Sequence, residues 1–377
     1  YTWADGSRYA SKSLLSEGKW VKIRVDKTGI YKLSYADLKN MGFSDPSKVS
    51  VHGYGGWPLD EDFSKEYIDD VPSTPVWRGS DYLLFYGKGP VKWEYDSSSQ
   101  TFVHTNNPYS LYGYYFVTDA TPTNDMTSVA QASGATNRIT TYDDYLVHEQ
   151  ELVSLAKSGR ELYGEDFSGA TPRTLSTFSS IPGITNEDAK VTMSFVSKVT
   201  SGTGVASLSI NQSNVLDVSI RSNREEYVKA LEGVSTAVWK GEKSEKNSVV
   251  VSYNSASHNN VRLNYVRLHF KRTLQPYGAY TFFRSIASIG NVSRFVVQGA
   301  NANTLVFDVT DAQRVRLMET ELNGSELTFS IPAGTLREFV LVRTDQSFIS
   351  PEVVGEVENQ NLHALEQKDM IIIAAKA

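Results

Sequence analysis

The chain contains no cysteine. That absence excludes disulfides, thiolate metal centres and a cysteine nucleophile anywhere in its 377 residues. No apolar stretch approaches the roughly 20 residues of a membrane-spanning helix. The longest such run, Met370 to Ala375, is short. Basic charge is not in excess either: 37 Lys and Arg stand against 43 Asp and Glu, a formal net charge of −6. A dedicated binder of nucleic-acid backbones would carry a basic stripe, so the charge balance argues against one. Hydrophobic residues at 40% and charged residues at 21% exclude a disordered, collagen-like or coiled-coil chain. No repeat of fixed period is present. Residue 1 is Tyr rather than Met. The N-terminus therefore reads as trimmed; the lack of cysteine assigns no compartment, although exported bacterial proteins often show it.

What is there is dominated by strand patterns, and 21 tyrosines suit half-buried β surfaces. Val21, Ile23 and Val25 alternate with Lys22 and Arg24, the period of a half-buried strand. Asp26 to Gly29 supplies a turn and Ile30 to Leu33 resumes extended structure, which predicts a hairpin. Ser34 to Asp37 fits a capping box, and Tyr35, Leu38 and Met41 share a helical face before Gly42, predicting a helix over Tyr35 to Met41. Strands are predicted at Val49 to His52, Tyr82 to Tyr86 and Tyr114 to Val117. Ala120 to Asn137 is rich in Thr, Ala, Ser, Asn and Pro and reads as a loop between domains. Tyr142 to Lys157 has helix-forming composition, with Leu146, Val153 and Ala156 near one face and Gly159 as a stop.

From Arg173 to about Arg343 short strands follow one another, punctuated by Gly, Asn, Ser and Asp. They are expected at Val191 to Phe195, Ala206 to Ile210, Val215 to Ile220, Val249 to Tyr253, Val261 to Phe270, Arg294 to Val297, Thr304 to Val309, Leu327 to Ile331 and Glu338 to Val342. The predicted fold is mainly β: an N-terminal β-rich domain with a short helix over 1–140, then a helix and an antiparallel, jelly-roll-like β-sandwich over 141–355. Residues 356–377 read as a linker and the first strand of a further domain, with an edge strand or tail of the preceding sandwich as the alternative, because the run Met370 to Ala375 is continuous rather than alternating and only Lys376 and Ala377 follow. Such a run belongs to a strand buried on both faces.

Motifs that could carry chemistry are incomplete. His148-Glu149-Gln150-Glu151 resembles the start of a zinc-protease helix, but position 152 is Leu where the second imidazole belongs. An exposed polar helix face is the plainer reading. Asp60, Glu61 and Asp62, and Asp69-Asp70, lack EF-hand spacing and read as solvated loops, with calcium as the minority expectation. Asp143-Asp144 reads as acidic charge at a helix start. Gly53-x-Gly-Gly56 fits neither phosphate-binding pattern and reads as a tight turn. The six histidines, His52, His104, His148, His258, His269 and His363, are scattered without ligand spacing. No G-x-S-x-G elbow occurs. Trp57, Trp77, Trp93 and Tyr109 could stack on sugars, the basis of an alternative reading as a surface glycan- or protein-binding module. The sequons at Asn211, Asn291 and Asn323 carry little weight. No catalytic, cofactor-binding or metal-ligating residue is assigned, and no cofactor is expected beyond calcium at the acidic loops.

Several segments, in order, resemble one family. Gly18 to Ile23, Lys27 to Leu33 and Leu38 to Gly42 are followed by His52 to Gly56, Asp81 to Pro90 with Trp93, Asn107 to Ser110 and Tyr114 to Phe116. Ser158 to Glu165, Asn264-Tyr265, Phe307 to Asp311, Asn361 to Leu365 and Asp369 to Ile373 continue the series. Together they resemble the N-terminal region of PorU-type proteins, the C25 (gingipain-like) cysteine peptidases that act as sortases in the type IX secretion system of Bacteroidetes. Phe307 and Leu162 depart from the pattern, standing where tryptophan is expected. The resemblance implies a parent whose caspase-like α/β domain bears a Cys/His dyad. With no cysteine here, that dyad belongs beyond Ala377, and this chain is expected not to be an enzyme. Residues 356–377 would then include the first strand of that catalytic domain. The resemblance further implies an exported, cell-surface or periplasmic location. The implied partners are the downstream catalytic domain and either outer-membrane secretion proteins or cargo C-terminal signal domains, with no nucleic acid.

Overall fold

The computed structural model describes residues 9–62, 64, 68–155, 161–223, 230–366, 369, 370, 372 and 374. The fold is mainly β, with antiparallel sheets and, among the described residues, one short α-helix. Among those residues no helix is long and apolar enough to cross a membrane.

Four sheets stack in layers. The first has the strand order Glu352–Val357, Trp20–Val25, Gly113–Thr118, Ser50–Gly55, Ser73–Thr74. The second is Gly29–Ser34, Tyr82–Gly87, Val76–Arg78. Between them lies a core that includes Ile23, Val51, Val117, Tyr31, Leu33 and Phe85. The second sheet is buried on its other face too, where Ile30, Leu84 and Tyr86 meet Phe307, Val340 and Val342. This explains the near-continuous apolar run from Tyr82 to Tyr86, since neither face meets water.

The third layer is Ser128–Val129, Arg316–Met318, Thr304–Asp308, Glu338–Arg343, Tyr280–Arg284. The fourth is Asn137–Ile139, Asn291–Val297, Glu326–Ala333, Glu321–Asn323. Four phenylalanines fill the space between these two; Phe295 and Phe329 stack at 5.0 Å. The Thr- and Ser-rich stretch from Ala120 to Asn137 is mostly irregular, yet Ser128–Val129 and Asn137–Ile139 add parallel strands to these sheets.

A separate sandwich stands beside this stack. One sheet runs Thr141–Glu149, Val261–Thr273, Ala189–Ser197, Leu231–Trp239, and the facing one Arg173–Thr174, Val249–Tyr253, Thr203–Ile210, Ser213–Arg221. Strict alternation in Thr203–Ile210 puts Ala206, Leu208 and Ile210 into its core.

The helix Tyr35–Asn40 begins with a reciprocal capping box: Asp37 N donates to Ser34 Oγ at 3.0 Å and Ser34 N to Asp37 Oδ2 at 3.3 Å. Each of the nine strands expected between Val191 and Val342 is present.

Two expectations are corrected. Trp20–Val25 and Gly29–Ser34 do not form a hairpin: the first pairs with Gly113–Thr118 and Glu352–Val357, the second with Tyr82–Gly87. Both strands carry an apolar face, and the two faces bury against each other across the layers. The intervening turn makes a corner, pinned where Tyr31 Oη donates to Lys27 O at 2.8 Å. The second correction concerns Tyr142 to Lys157. Thr141–Glu149 is a strand paired residue for residue with Val261–Thr273. Two tyrosines and a valine favour that ladder, and tertiary pairing outweighs a weak helical preference. Ala156 to Arg160 lie outside the described residues, as do Ile371 and Ile373 of the expected terminal strand. Met370 and Ile372 are 76% and 82% exposed.

Candidate functional site

The hairpin Val91–Asp96 and Thr101–Asn106 leaves the layered stack and lies across the outer face of the sandwich. Its aromatic side chains make the contact. Trp93 stacks on Tyr145 at 4.0 Å, and Phe102 meets the edge of His269 at 5.0 Å. At the hairpin tip Lys190 Nζ donates to the carbonyls of Ser99 and Gln100, at 2.6 and 3.1 Å. At its base His104 Nε2 pairs with Glu149 at 2.7 Å, and Asn106 Nδ2 donates to Glu149 at 2.8 Å and to Glu151 at 3.0 Å.

Beneath this arm Asp143 is buried, its side chain 2% exposed. His269 reaches it at 2.9 Å, Lys271 at 2.8 Å, and the Ile286 amide donates to it at 2.7 Å. Burial alone would raise its pKa, but the His269 bond and the Lys271 charge prevail and hold it below the ordinary carboxyl range. The helix-start reading of Asp143-Asp144 is therefore corrected: both sit in a strand, and Asp144 pairs with Arg272 at 2.8 Å. His148 and Glu149 are likewise not an exposed helix face. His148 Nε2 pairs with Glu165 at 2.6 Å and its other nitrogen with Thr177 Oγ1 at 2.9 Å.

The glycine segment ends a strand and packs backbone against backbone. The Gly56 amide donates to Lys88 O at 2.9 Å. Opposite it, a Cβ on Gly113 would lie 2.0 Å from Lys88 O, so only glycine fits there. Lys88 is buried by this closeness. Its ammonium lies 3.8 Å over the Tyr54 ring and 4.9 Å over the Trp57 ring. Burial pushes its pKa down to about 7.

A cleft of about 1410 Å³ opens between this corner, the hairpin base and the sandwich. Glu149, Glu151, Glu161 and Glu232 line the sandwich side, with Arg267 as a basic group, while Trp57 and Tyr109 stand on the other. Such a wall can hold a polar or cationic segment; among the described residues that line it no nucleophile is paired with a base. Among the described residues no group of three or more His, Asp or Glu is arranged to hold a metal ion. The sequence-flagged Asp69 and Asp70 accept bonds from nearby chain: Ala10 N reaches Asp69 at 2.6 Å, and Leu14 N reaches Asp70 at 2.6 Å. Of the four flagged aromatics, Trp77 packs into the core beside Phe307 and Trp93 into the hairpin contact, while Tyr109 is 80% exposed. His104, Lys88 and Arg284 carry no local sequence signal that marks them, because each acquires its role from strands distant in the chain.

No protein-family model matches this chain. A search of curated proteins finds no match. Among solved structures the chain is similar to dimeric latent PorU from Porphyromonas gingivalis, with 31% sequence identity and a TM-score of 0.87 over 96% of this chain. It is also matched to a cycloalternan-forming enzyme from Listeria monocytogenes, at 10% identity and a TM-score of 0.23 over 67% of this chain and 18% of that one, a likeness that carries no weight. The chain spans 35% of the length of the solved PorU chain. Over nearly all of its own length, it carries a PorU-like fold.

Proposed function

We propose that this chain is the non-catalytic N-terminal region of a PorU-like C25 cysteine peptidase, exported and acting as a sortase of the type IX secretion system. The observation that carries this reading is the likeness to PorU over 96% of the chain in a sequence without cysteine. A thiolate-dependent peptidase needs a nucleophile this region lacks. Its role is then architectural: a layered stack and a sandwich, clasped by the Trp93 hairpin, that supports a catalytic domain encoded beyond Ala377. Outer-membrane secretion proteins or cargo signal domains are its further partners.

The test is the reading frame beyond Ala377 together with a peptidase assay. The reading expects a downstream segment bearing His and Cys, and no peptide cleavage by the isolated chain. A stop codon within a few residues, or peptidase activity in the isolated chain, contradicts it.

A further inference from the structure

The hairpin that lies across the sandwich is a two-stranded sheet, so each of its strands is an edge. Apart from its ladder with Val91–Asp96, the backbone of Thr101–Asn106 makes no hydrogen bond to a described residue. Val103 to Asn106 line the cleft of about 1410 Å³, while none of Val91–Asp96 does. The free edge therefore opens on the cleft. An unpaired strand edge is a template for one more strand.

The sandwich side of the cleft supplies charge. Glu149 engages His104 and Asn106 through Oε2, and Glu151 engages Asn106 through Oε1. Glu161 Oε2 accepts from Tyr163 Oη at 3.1 Å, and Glu232 Oε1 from Ser194 Oγ at 2.6 Å and Asn264 Nδ2 at 3.3 Å. Each glutamate keeps its second oxygen free of hydrogen bonds to described residues, and no described lysine or arginine forms a salt bridge with any of the four. Tyr163 registers the field: burial, then the Glu161 hydrogen bond and the charges of Glu161 and Glu232, push its phenol up to about 12. On the other side of the cleft Leu59 and Tyr109 stand 62% and 80% exposed. Tyr109 N donates to Asn107 Oδ1 at 2.9 Å and Asn107 Nδ2 to Gly56 O at 2.9 Å, so the ring is presented on a fixed loop.

These features select among ligands. The cleft is larger than the ~300–1,000 Å³ of small-molecule sites. Its acids do not converge: among the described residues no three are placed to hold a metal ion. An anion would meet Asp60, Glu61 and Asp70 as well as the four glutamates, with Arg267 as the one lysine or arginine of the described lining. Cations spread along an extended backbone suit the cleft. Main-chain groups pair with the free edge, alternate side chains point at the glutamates, and methylene stems cover Leu59 and Tyr109. We infer that an extended lysine- or arginine-bearing peptide lies in this cleft as a third strand on Thr101–Asn106, its basic side chains on the glutamate wall. Such binding needs no downstream domain, so it fails or stands separately from the peptidase reading.

The experiment titrates the whole chain by calorimetry, at about 0.1 M salt, with an acetylated and amidated octapeptide that alternates lysine and threonine. The same peptide with glutamate in place of lysine, and spermine, serve as anionic and backbone-free comparisons. Amide hydrogen exchange is followed in parallel. The lysine peptide is expected to saturate with a Kd of about 100 μM or tighter. It is expected to slow exchange of the outward amides of Thr101–Asn106 about tenfold or more. Glu161→Gln combined with Glu232→Gln, both exposed and checked for unchanged circular dichroism, weakens binding about fivefold. Tyr109→Ala, which removes only an exposed ring, weakens it about threefold. Four outcomes overturn the inference: the lysine peptide does not saturate; the glutamate peptide or spermine binds as tightly; exchange in Thr101–Asn106 is unchanged on binding; or both variants bind like the parent.

Discussion

The ring of Trp93 lies 4.0 Å from that of Tyr145, with 19° between their planes. The two residues come from different parts of the fold, one from the hairpin that leaves the layered stack and one from the edge strand of the sandwich. Arg284 caps the other face of Tyr145 at 4.4 Å, so the tyrosine is held between an indole and a guanidinium. The contact adds to others that join the two units, among them Tyr142, buried in the core of the stack, and Asp143, which accepts from the Ile286 amide.

Trp93→Ala removes this joint. Truncating an aromatic side chain in a packed site costs about 3 kcal/mol, and a half-buried one about 2. The expected result is a urea midpoint lowered accordingly, with the sandwich and the stack unfolding less cooperatively. A midpoint within error of the parent would show that the hairpin merely rests on the surface.

Asp143 should make stability depend on acid. Its carboxyl is held below the ordinary range in the folded state, so its contribution is present above the unfolded value of about 4 and is lost as pH falls through the folded one. Asp143→Asn leaves Lys271 and His269 without their buried anion and is expected to cost about 3 kcal/mol at pH 7. The gap between parent and variant should narrow below pH 4. Denaturant curves at pH 7 and pH 3 measure both; a gap that stays constant contradicts the assignment.

Lys88 gives a slope of the same sign at higher pH. Unfolded, its amine keeps its proton to about pH 10; folded, burial brings its pKa to about 7. Between those values the unfolded chain binds more protons, so the parent gains stability as pH rises. Lys88→Met removes the group. It is expected to be more stable than the parent at pH 6 and to lose that advantage by pH 10, read as a difference in melting temperature. Parallel pH profiles would rule this out.

Two glycines should respond differently to the same substitution. At Gly113 an added Cβ would meet the Lys88 carbonyl oxygen at 2.0 Å, and both neighbours are backbone, so Gly113→Ala is expected to cost about 3 kcal/mol or more. Gly324 has a φ of +61° but nothing near its Cβ, so Gly324→Ala costs only the left-handed backbone penalty of about 1 kcal/mol. Thermal denaturation of the two variants side by side compares them; equal losses would remove the argument for close backbone packing at the glycine corner.

The strands of the sandwich were legible because each buries one face, so alternation such as Ala206, Leu208 and Ile210 states both the element and its orientation. The helix at Tyr35 was legible because Ser34 and Asp37 satisfy its start locally. Pairing was not legible. Val25 and Gly29 are separated by a turn, yet nothing local says that the chain crosses between layers there. Thr141–Glu149 misled for the same reason: its ladder with Val261–Thr273 joins residues more than a hundred positions apart. The site suffers most from this. Asp143, His269 and Lys271 look unrelated along the chain, and only the register brings them to one carboxylate.

The central claim, that this region supports a catalytic domain it does not itself contain, is tested most directly by sedimentation. The chain is mixed with the separately produced polypeptide encoded beyond Ala377, and the velocity profile is recorded at equal concentrations. The account predicts a one-to-one complex. Independent sedimentation of the two, or the absence of any such downstream coding sequence, contradicts it.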